Sequence, residues 1–404
     1  MIDKKVKFAI LVSALGYFVD AFDMLLFSIL RVSSLTELGL SGDELLLSGK
    51  FLINCQMSGL LIGGLIWGIL GDKIGRVQVL FGSIFLYSSA TFLNGFISDT
   101  TQYAILRFIA GFGLAGELGG AVTLVTELMP KEKRGIGTTI IATIGVAGVV
   151  AASLVGKIFS WRTTFIIGGI MGFFLLFLRV KVSESGIYKN IKQAKEVKKG
   201  SLILLFGTFE RSLRYLSCIL IATPTWFLVG VIMTFSKEIG ESMGLLEKLE
   251  PGTAIMWCYV GLTLGDLCCG VFSQILKSRK KAIFYFLVGE CLFLTLLFTM
   301  PIKYAWHFYA LSVPLGFFVG YWVIFITTSA EQFGTNIRAT VSTSVPNFVR
   351  ASAIPMVSSF VYFKTTGFAI TTSAIIVGVV TLIFSFLGLI KLKESFYTDL
   401  DYLE

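Results

Sequence analysis

GILGDKIGRVQVL (68–80) and GVFSQILKSRKKAI (270–283) each follow a long apolar run, and the second begins 202 residues after the first. Two more pairs recur at nearly that interval. TELMPKEKRG (126–135) and AEQFGTNIRA (330–339) place Glu127 with Glu331 and Arg134 with Arg338, both 204 residues apart, and VKVSESGIY (180–188) aligns Ser185 with Ser395 of IKLKESFY (390–397). Repetition at half the chain length is the mark of a duplicated architecture. Around these motifs lie about twelve runs of the ~20 apolar residues that a bilayer crossing needs: 8–30, 46–71, 77–97, 102–127, 135–157, 162–180, 213–236, 253–276, 281–300, 304–331, 339–363 and 367–391. The expected fold is an all-α membrane protein of 12 transmembrane helices in two pseudo-symmetric six-helix bundles, residues 1–182 and 213–404, the second ending in a short cytoplasmic tail. A basic cytoplasmic linker, 183–212, joins them.

Composition agrees with that reading: 55% of the 404 residues are hydrophobic and 14% aromatic, with a mean hydropathy of +0.83, more than a soluble core requires. MIDKKVK (1–7) precedes a run too long for a signal-peptide core and without a small-residue cleavage site, so it is expected to stay as span 1. With both termini inside, about 24 basic residues fall on the cytoplasmic side, about 8 outside and about 2 within spans. The cytoplasmic groups are Lys4, Lys5 and Lys7; Lys131, Lys133 and Arg134; the 179–214 stretch; and Lys277–Lys281. Topology thus accounts for the net charge of +9, which leaves a nucleic-acid partner nothing to explain. The six cysteines all fall in spans with no ligand set beside them, so neither a disulfide framework nor a metal site is expected.

Asp20 and Asp23 in YFVDAFDMLLFSIL (17–30) sit three apart on one helix face amid apolar side chains. Counted from Leu30, Asp23 lies ~10 Å below the outer end of span 1, and Arg107 lies ~8 Å into span 4. A carboxyl and a guanidinium at matched depth offset each other's burial. Glu117 is ~15 Å deeper than Arg107, amid Gly111, Gly113, Gly116, Gly119 and Gly120, and is either a second proton site or a latch to a neighbouring helix. Arg350 lies ~17 Å into span 11, between Pro346 and Pro355, and requires a carboxylate or an anionic ligand; Asp266, at similar depth in span 8, is a candidate carboxylate. His307 lies near an outer loop and is expected to be interfacial.

GxxxDxxGR at Gly68, Asp72, Gly75 and Arg76 resembles the signature of the major facilitator superfamily between helices 2 and 3. RFIAGFGLAGELGG (107–120), SWRTTF (160–165) and ESGIY (184–188) are similar to its sugar-porter and metabolite:proton symporter branches. The acidic pair of span 1 is similar to the DGxD of aromatic-acid symporters, with Ala21 in place of glycine, and GLAGELG (113–119) to sialate symporters. Val77 stands where a second basic residue is usual, and Lys277 and Ser278 stand where the second half should have Gly and Arg. Spans 5 and 7 lack the glutamines that bind hexoses in sugar porters, which disfavours a hexose.

The resemblance implies the major facilitator fold and a proton-binding Asp on helix 1 facing an Arg on helix 4, positions matched by Asp23 and Arg107 with Asp20 beside them. A permanent structural ion pair is the alternative. It implies cavity-lining roles for Trp226, Tyr321 and Trp322, which in turn compete with ordinary packing, and peripheral positions for helices 3, 6, 9 and 12, so that Glu290 on span 9 carries little information. Asp72, Arg76, Glu127, Arg134, Glu184, Glu331 and Arg338, at cytoplasmic helix ends, are expected to form a gate.

An enzyme would need a nucleophile with its base, a metal set or a cofactor loop, and one His without a P-loop supplies none of these. The expected function is secondary active transport by alternating access: proton-coupled uptake of a small anionic or zwitterionic metabolite such as an organic acid, by a monomer in the cell (inner) membrane. Its partners are the substrate, protons and lipid; no cofactor is implied. Proton-coupled efflux and uniport are the alternatives.

Overall fold

The computed structural model describes residues 4–74, 76–117, 134–184 and 206–396, and no strand occurs among them. The first half contains α1 (Lys4–Glu37), α2 (Gly42–Ile74), α3 (Arg76–Asn94), α4 (Thr100–Leu114), α5 (Arg134–Ile158) and α6 (Trp161–Glu184). In the second half α7 (Phe209–Leu220), α8 (Thr223–Phe227) and a π-helical turn (Leu228–Met233) cover the seventh apolar run, and α9 (Ser236–Ser242) follows at its end. They are followed by α10 (Pro251–Leu276), α11 (Arg279–Thr299), α12 (Ala305–Val319), α13 (Trp322–Glu331), α14 (Thr335–Ala351), α15 (Ala353–Thr365) and α16 (Ile370–Lys391). Seven described helical spans are long and apolar enough to cross a bilayer, or eight if the pair bent by 42° at Leu220–Thr223 is one span.

Local chemistry fixes the ends. Asp99 caps α4 by accepting from the amides of Thr101 and Gln102 at 2.8 and 2.9 Å, and the Ser278 hydroxyl caps α11 by accepting from Lys281 N at 3.1 Å. Proline opens α8 and α10, where its missing N–H costs nothing. Lys277 ends α10 at φ 50°, ψ 38°, a left-handed position that glycine takes without strain. Lys277→Gly is therefore expected to stabilise the protein by about 0.5–1 kcal/mol, the αL penalty less the added freedom of the unfolded chain. A thermal melt in detergent checks this; a lowered midpoint would mean that the lysine's contacts outweigh the backbone cost.

The first apolar run is extended and two others are interrupted. α1 continues to Glu37, so Asp23 lies fourteen residues, ~21 Å, from its end rather than ~10 Å. The extension is stable because Arg31 and Ser34 on it are fully buried with partners. Span 10 is interrupted at Gly320–Tyr321, between α12 and α13, and span 11 at Ser352, between α14 and α15.

By their internal contacts the residues group into two compact units: Met1–Phe27 with Cys55–Gly200, and Ser28–Asn54 with Ser201–Glu404. In the first, α4 lies close to its neighbours because a Cβ at Gly111 would strike the Gln56 backbone of α2, and one at Gly113 would strike Tyr87 and Ser83 of α3. The second unit packs α10 on α12 through Gly261 and Gly265 against the Val313 and Phe317 backbone, with Gly316 and Gly320 answering against Cys258 and Leu262. Small residues at such crossings let backbones approach where lipid supplies no hydrophobic drive. The second part of α1 and the first part of α2 belong to this unit, although both helices run unbroken into the first.

Candidate functional site

Asp20 and Asp23 are both fully buried. The structure brings Asp23 to Arg107: the guanidinium lies 3.6 Å from Oδ1, close enough for an ion pair but beyond hydrogen-bond reach. Thr91 of α3 bridges the two, donating to Asp23 Oδ2 at 2.6 Å and accepting from Arg107 at 3.4 Å. Arg107 also lies over the Phe165 ring of α6, 4.8 Å from its centroid. Four helices thus converge on the Asp23–Arg107 pair. Thr91 was missed by sequence reasoning, since one hydroxyl on a span expected to be peripheral gives no pattern.

Glu117 pairs with Arg179 of α6. A Cβ at Gly16, one turn before Asp20, would meet both side chains, so α1 leaves room for the pair. Tyr87 of α3 is fully buried in the same unit. Arg179 requires a correction: the charge count places it among cytoplasmic residues, whereas it is 5% exposed and paired. Its position at the end of an apolar run, two residues before Lys181, made it look like a loop charge.

In the second unit Asp266, Tyr321 and Trp322 come together at the interruption of span 10. The half-buried Asp266 carboxyl accepts from Val323 N at 3.2 Å, using an amide that the broken ladder frees. Tyr321 donates its hydroxyl to Ile221 O at 3.0 Å, tying this break to the one between α7 and α8; Ser385 of α16 donates to the same carbonyl at 3.1 Å. Trp226 is buried in α8, and Arg350, 4% exposed, lies one residue before the end of α14. His307 is in the first turn of α12, its Nδ1 accepting from Tyr304 N at 3.4 Å.

The expected gate is described in one half only. Glu331 accepts from Ser395 at 2.6 Å and pairs with Arg279 at 3.5 Å. Arg279 sits at the repeat position of Val77, so the missing basic residue of the first motif has its counterpart here. Glu394 joins the cluster by accepting from the hydroxyl of Ser278 and from the amides of Arg279 and Lys280. Partial burial acts to raise its pKa, but these donors outweigh it and hold the carboxyl below its usual range. Gly75 and Glu127 lie outside the described residues, as does the side-chain detail at Gly68, Asp72, Arg76, Arg134, Glu184 and Arg338.

Arg31, one residue past the first apolar run, is fully buried. Its Nη2 donates to both oxygens of Glu238 at 2.7 Å and to Thr234 O at 3.2 Å, a carbonyl at the end of the π-helical turn. The guanidinium lies 4.4 Å from the centroid of Phe235, and a Cβ at Gly49 of α2 would meet its stem. Two weaker ties join the same segment to α15: Asn54 donates to Ser358 at 2.9 Å, and Asp43 pairs with Lys364.

Helices long and apolar enough to cross a bilayer, helix breaks and charge pairs buried among them are what these residues build. A family model described as Major Facilitator Superfamily matches residues 13–358. The chain belongs to that superfamily. Among its relatives, a cis,cis-muconate transport protein of Acinetobacter baylyi is 26% identical over 408 residues, 97% of this chain and 95% of the relative. A sialic acid transporter of Escherichia coli is 26% identical over 300 residues, 72% of this chain and 70% of the relative. A niacin transporter of Acinetobacter baylyi is 25% identical over 359 residues, 81% and 80% of the two chains. This major facilitator protein is a multi-pass membrane transporter of metabolites.

Proposed function

We propose that the protein takes up a small carboxylate across the cell membrane together with protons, by alternating access of two six-span halves with both termini cytoplasmic. The observation that carries this reading is the buried Asp23–Thr91–Arg107 group: a carboxyl held at 3.6 Å from a guanidinium by a hydroxyl relay can accept a proton and release its partner. Muconate, sialic acid and niacin, named in the relatives, are all carboxylic acids, which supports an anionic substrate. Arg350 supplies the cation for that group, and Trp226, Tyr321, Trp322 and Asp266 line its site. The paired loop motifs act as the cytoplasmic gate, and 183–212 tethers the halves.

Reconstitution into proteoliposomes with an imposed pH gradient, acid outside, tests the proposal against a panel of muconate, sialic acid, niacin, benzoate and a neutral sugar. Accumulation of one acid above its external concentration, with acidification of the lumen, is expected. Equilibration without proton movement would establish uniport, net export against an inward proton gradient would establish efflux, and preference for the sugar over every acid would remove the anionic substrate.

A further inference from the structure

Glu290 stands apart from every ion pair described above. It lies mid-way along α11, fully buried on the face formed by Ile283, Phe286, Leu287 and Leu294, and neither carboxyl oxygen has a hydrogen-bond partner. No Lys or Arg pairs with it among the described residues. The titratable groups within its electrostatic reach are Cys258 of α10, its neighbour Cys291, and Tyr321 at the break between α12 and α13. α16, which also packs on α11, has no titratable residue before Lys391, and His307 and Tyr309 are at the far end of α12 from Phe318, the residue level with Gly289.

An ionised carboxylate in such surroundings has nothing to replace its water, and a group so placed neutralises instead. A purely structural acid would still be expected to donate its proton to some acceptor, and Glu290 has none. One of these neighbours, Tyr321, stands at the interruption of span 10, where it ties two helix breaks together through Ile221 O. Interrupted helices at membrane depth are tolerated where they line a cavity or move.

We propose that Glu290 is a proton-binding site of the second unit, separate from Asp23, loaded in this conformation and discharged to water when the Gly320–Tyr321 break opens. The ligand is a proton, and the balance is simple: the O–H bond of the neutral acid breaks, water takes the proton, and the carboxylate is stabilised by the water that enters. The proposal goes beyond the uptake reading and stands without Asp23 as the coupling group.

The test uses the purified full chain in lipid nanodiscs and needs no substrate. Dicyclohexylcarbodiimide, which reaches carboxylic acids from the apolar phase and reacts with the protonated form, is applied across a pH series, and adducts are located by peptide mass spectrometry. In parallel, infrared difference spectra follow the C=O stretch of protonated carboxyls. Both an adduct at Glu290 and a band that Glu290→Gln removes and Asp23→Asn retains are expected; the adduct yield should fall across the samples of rising pH, and the band should diminish reversibly. Either signal titrating at Glu290 supports the site, and because the adduct is read on the wild type, a poorly folding variant does not block the test. Absence of both, or signals that persist unchanged to alkaline pH, overturns it. Failure of the uptake reading shows separately, as proton-independent flux in proteoliposomes.

Discussion

If uptake is proton-coupled as proposed, Asp23→Asn will exchange substrate across the membrane at equilibrium but will not accumulate it, so the ratio of internal to external concentration should fall to one under an imposed pH gradient. The carboxamide has the shape of the protonated acid and cannot release a proton. In the proposed cycle, deprotonation recreates the charge that draws Arg107 back across 3.6 Å, with Thr91 hydrogen-bonded to both. With Asn at position 23, Arg107 keeps only the Thr91 hydroxyl and the Phe165 ring, so stability should also drop, by about 3–5 kcal/mol if the loss resembles other broken buried pairs. Counterflow and gradient-driven uptake in the same proteoliposomes separate the two effects: destabilisation lowers both, lost coupling removes only the second. Asp20→Asn should be milder, because Asp20 adds charge beside the pair. Normal accumulation by Asp23→Asn would remove Asp23 from the coupling step; Glu117, already paired with Arg179, is then a weaker substitute than Glu290.

What the sequence made legible follows what is local in it. Long apolar runs become helices close to where they are read, and Asp23 does meet Arg107, although the ~10 Å depth that suggested the pair was counted from Leu30 while α1 runs on to Glu37. Side chains whose partners are remote are the ones misplaced. Arg31 follows an apolar run, and its carboxylate is 207 residues away, across a π-helical turn with no composition of its own. Arg179 fails in the same way. Thr91 and Glu290 lie on spans set aside as peripheral, an assumption about where helices sit in a fold that says nothing of which way a residue on them faces; both are buried. The break in span 10 is decided by Gly320 approaching the α10 backbone and by Asp266 taking up a freed amide, neither of which leaves a periodic trace.

The Arg31–Glu238 contact should govern which conformation the protein rests in. α1 and α2 each run unbroken from the first unit into the segment Ser28–Asn54, which packs as part of the second. If the halves rock, that segment must part from α9 and α15 or the two helices must bend, and with the termini proposed inside, the parting occurs on the outer face. If the segment parts, Glu238 and Arg31 are exposed and the Thr234 carbonyl is freed, so the pair holds the segment in place and contributes nothing to an open form in which it has parted. Removing one partner of a buried pair costs about 3–5 kcal/mol. Since ~1.4 kcal/mol is a factor of ten, the lower figure alone shifts the population by about a hundredfold toward the open form. Glu238→Gln in a background with the native cysteines replaced, and Ser236→Cys as the reporter, reads this directly: Ser236 is fully buried beside Phe235. The reporter should resist an aqueous maleimide in the parent and react at least about tenfold faster in the Gln variant, a conservative fraction of the population shift. The exchanged pair, Arg31→Glu with Glu238→Arg, should restore protection, which a general loosening of the fold would not. Unchanged labelling in Glu238→Gln would mean that Asn54–Ser358 and Asp43–Lys364 hold the segment without it.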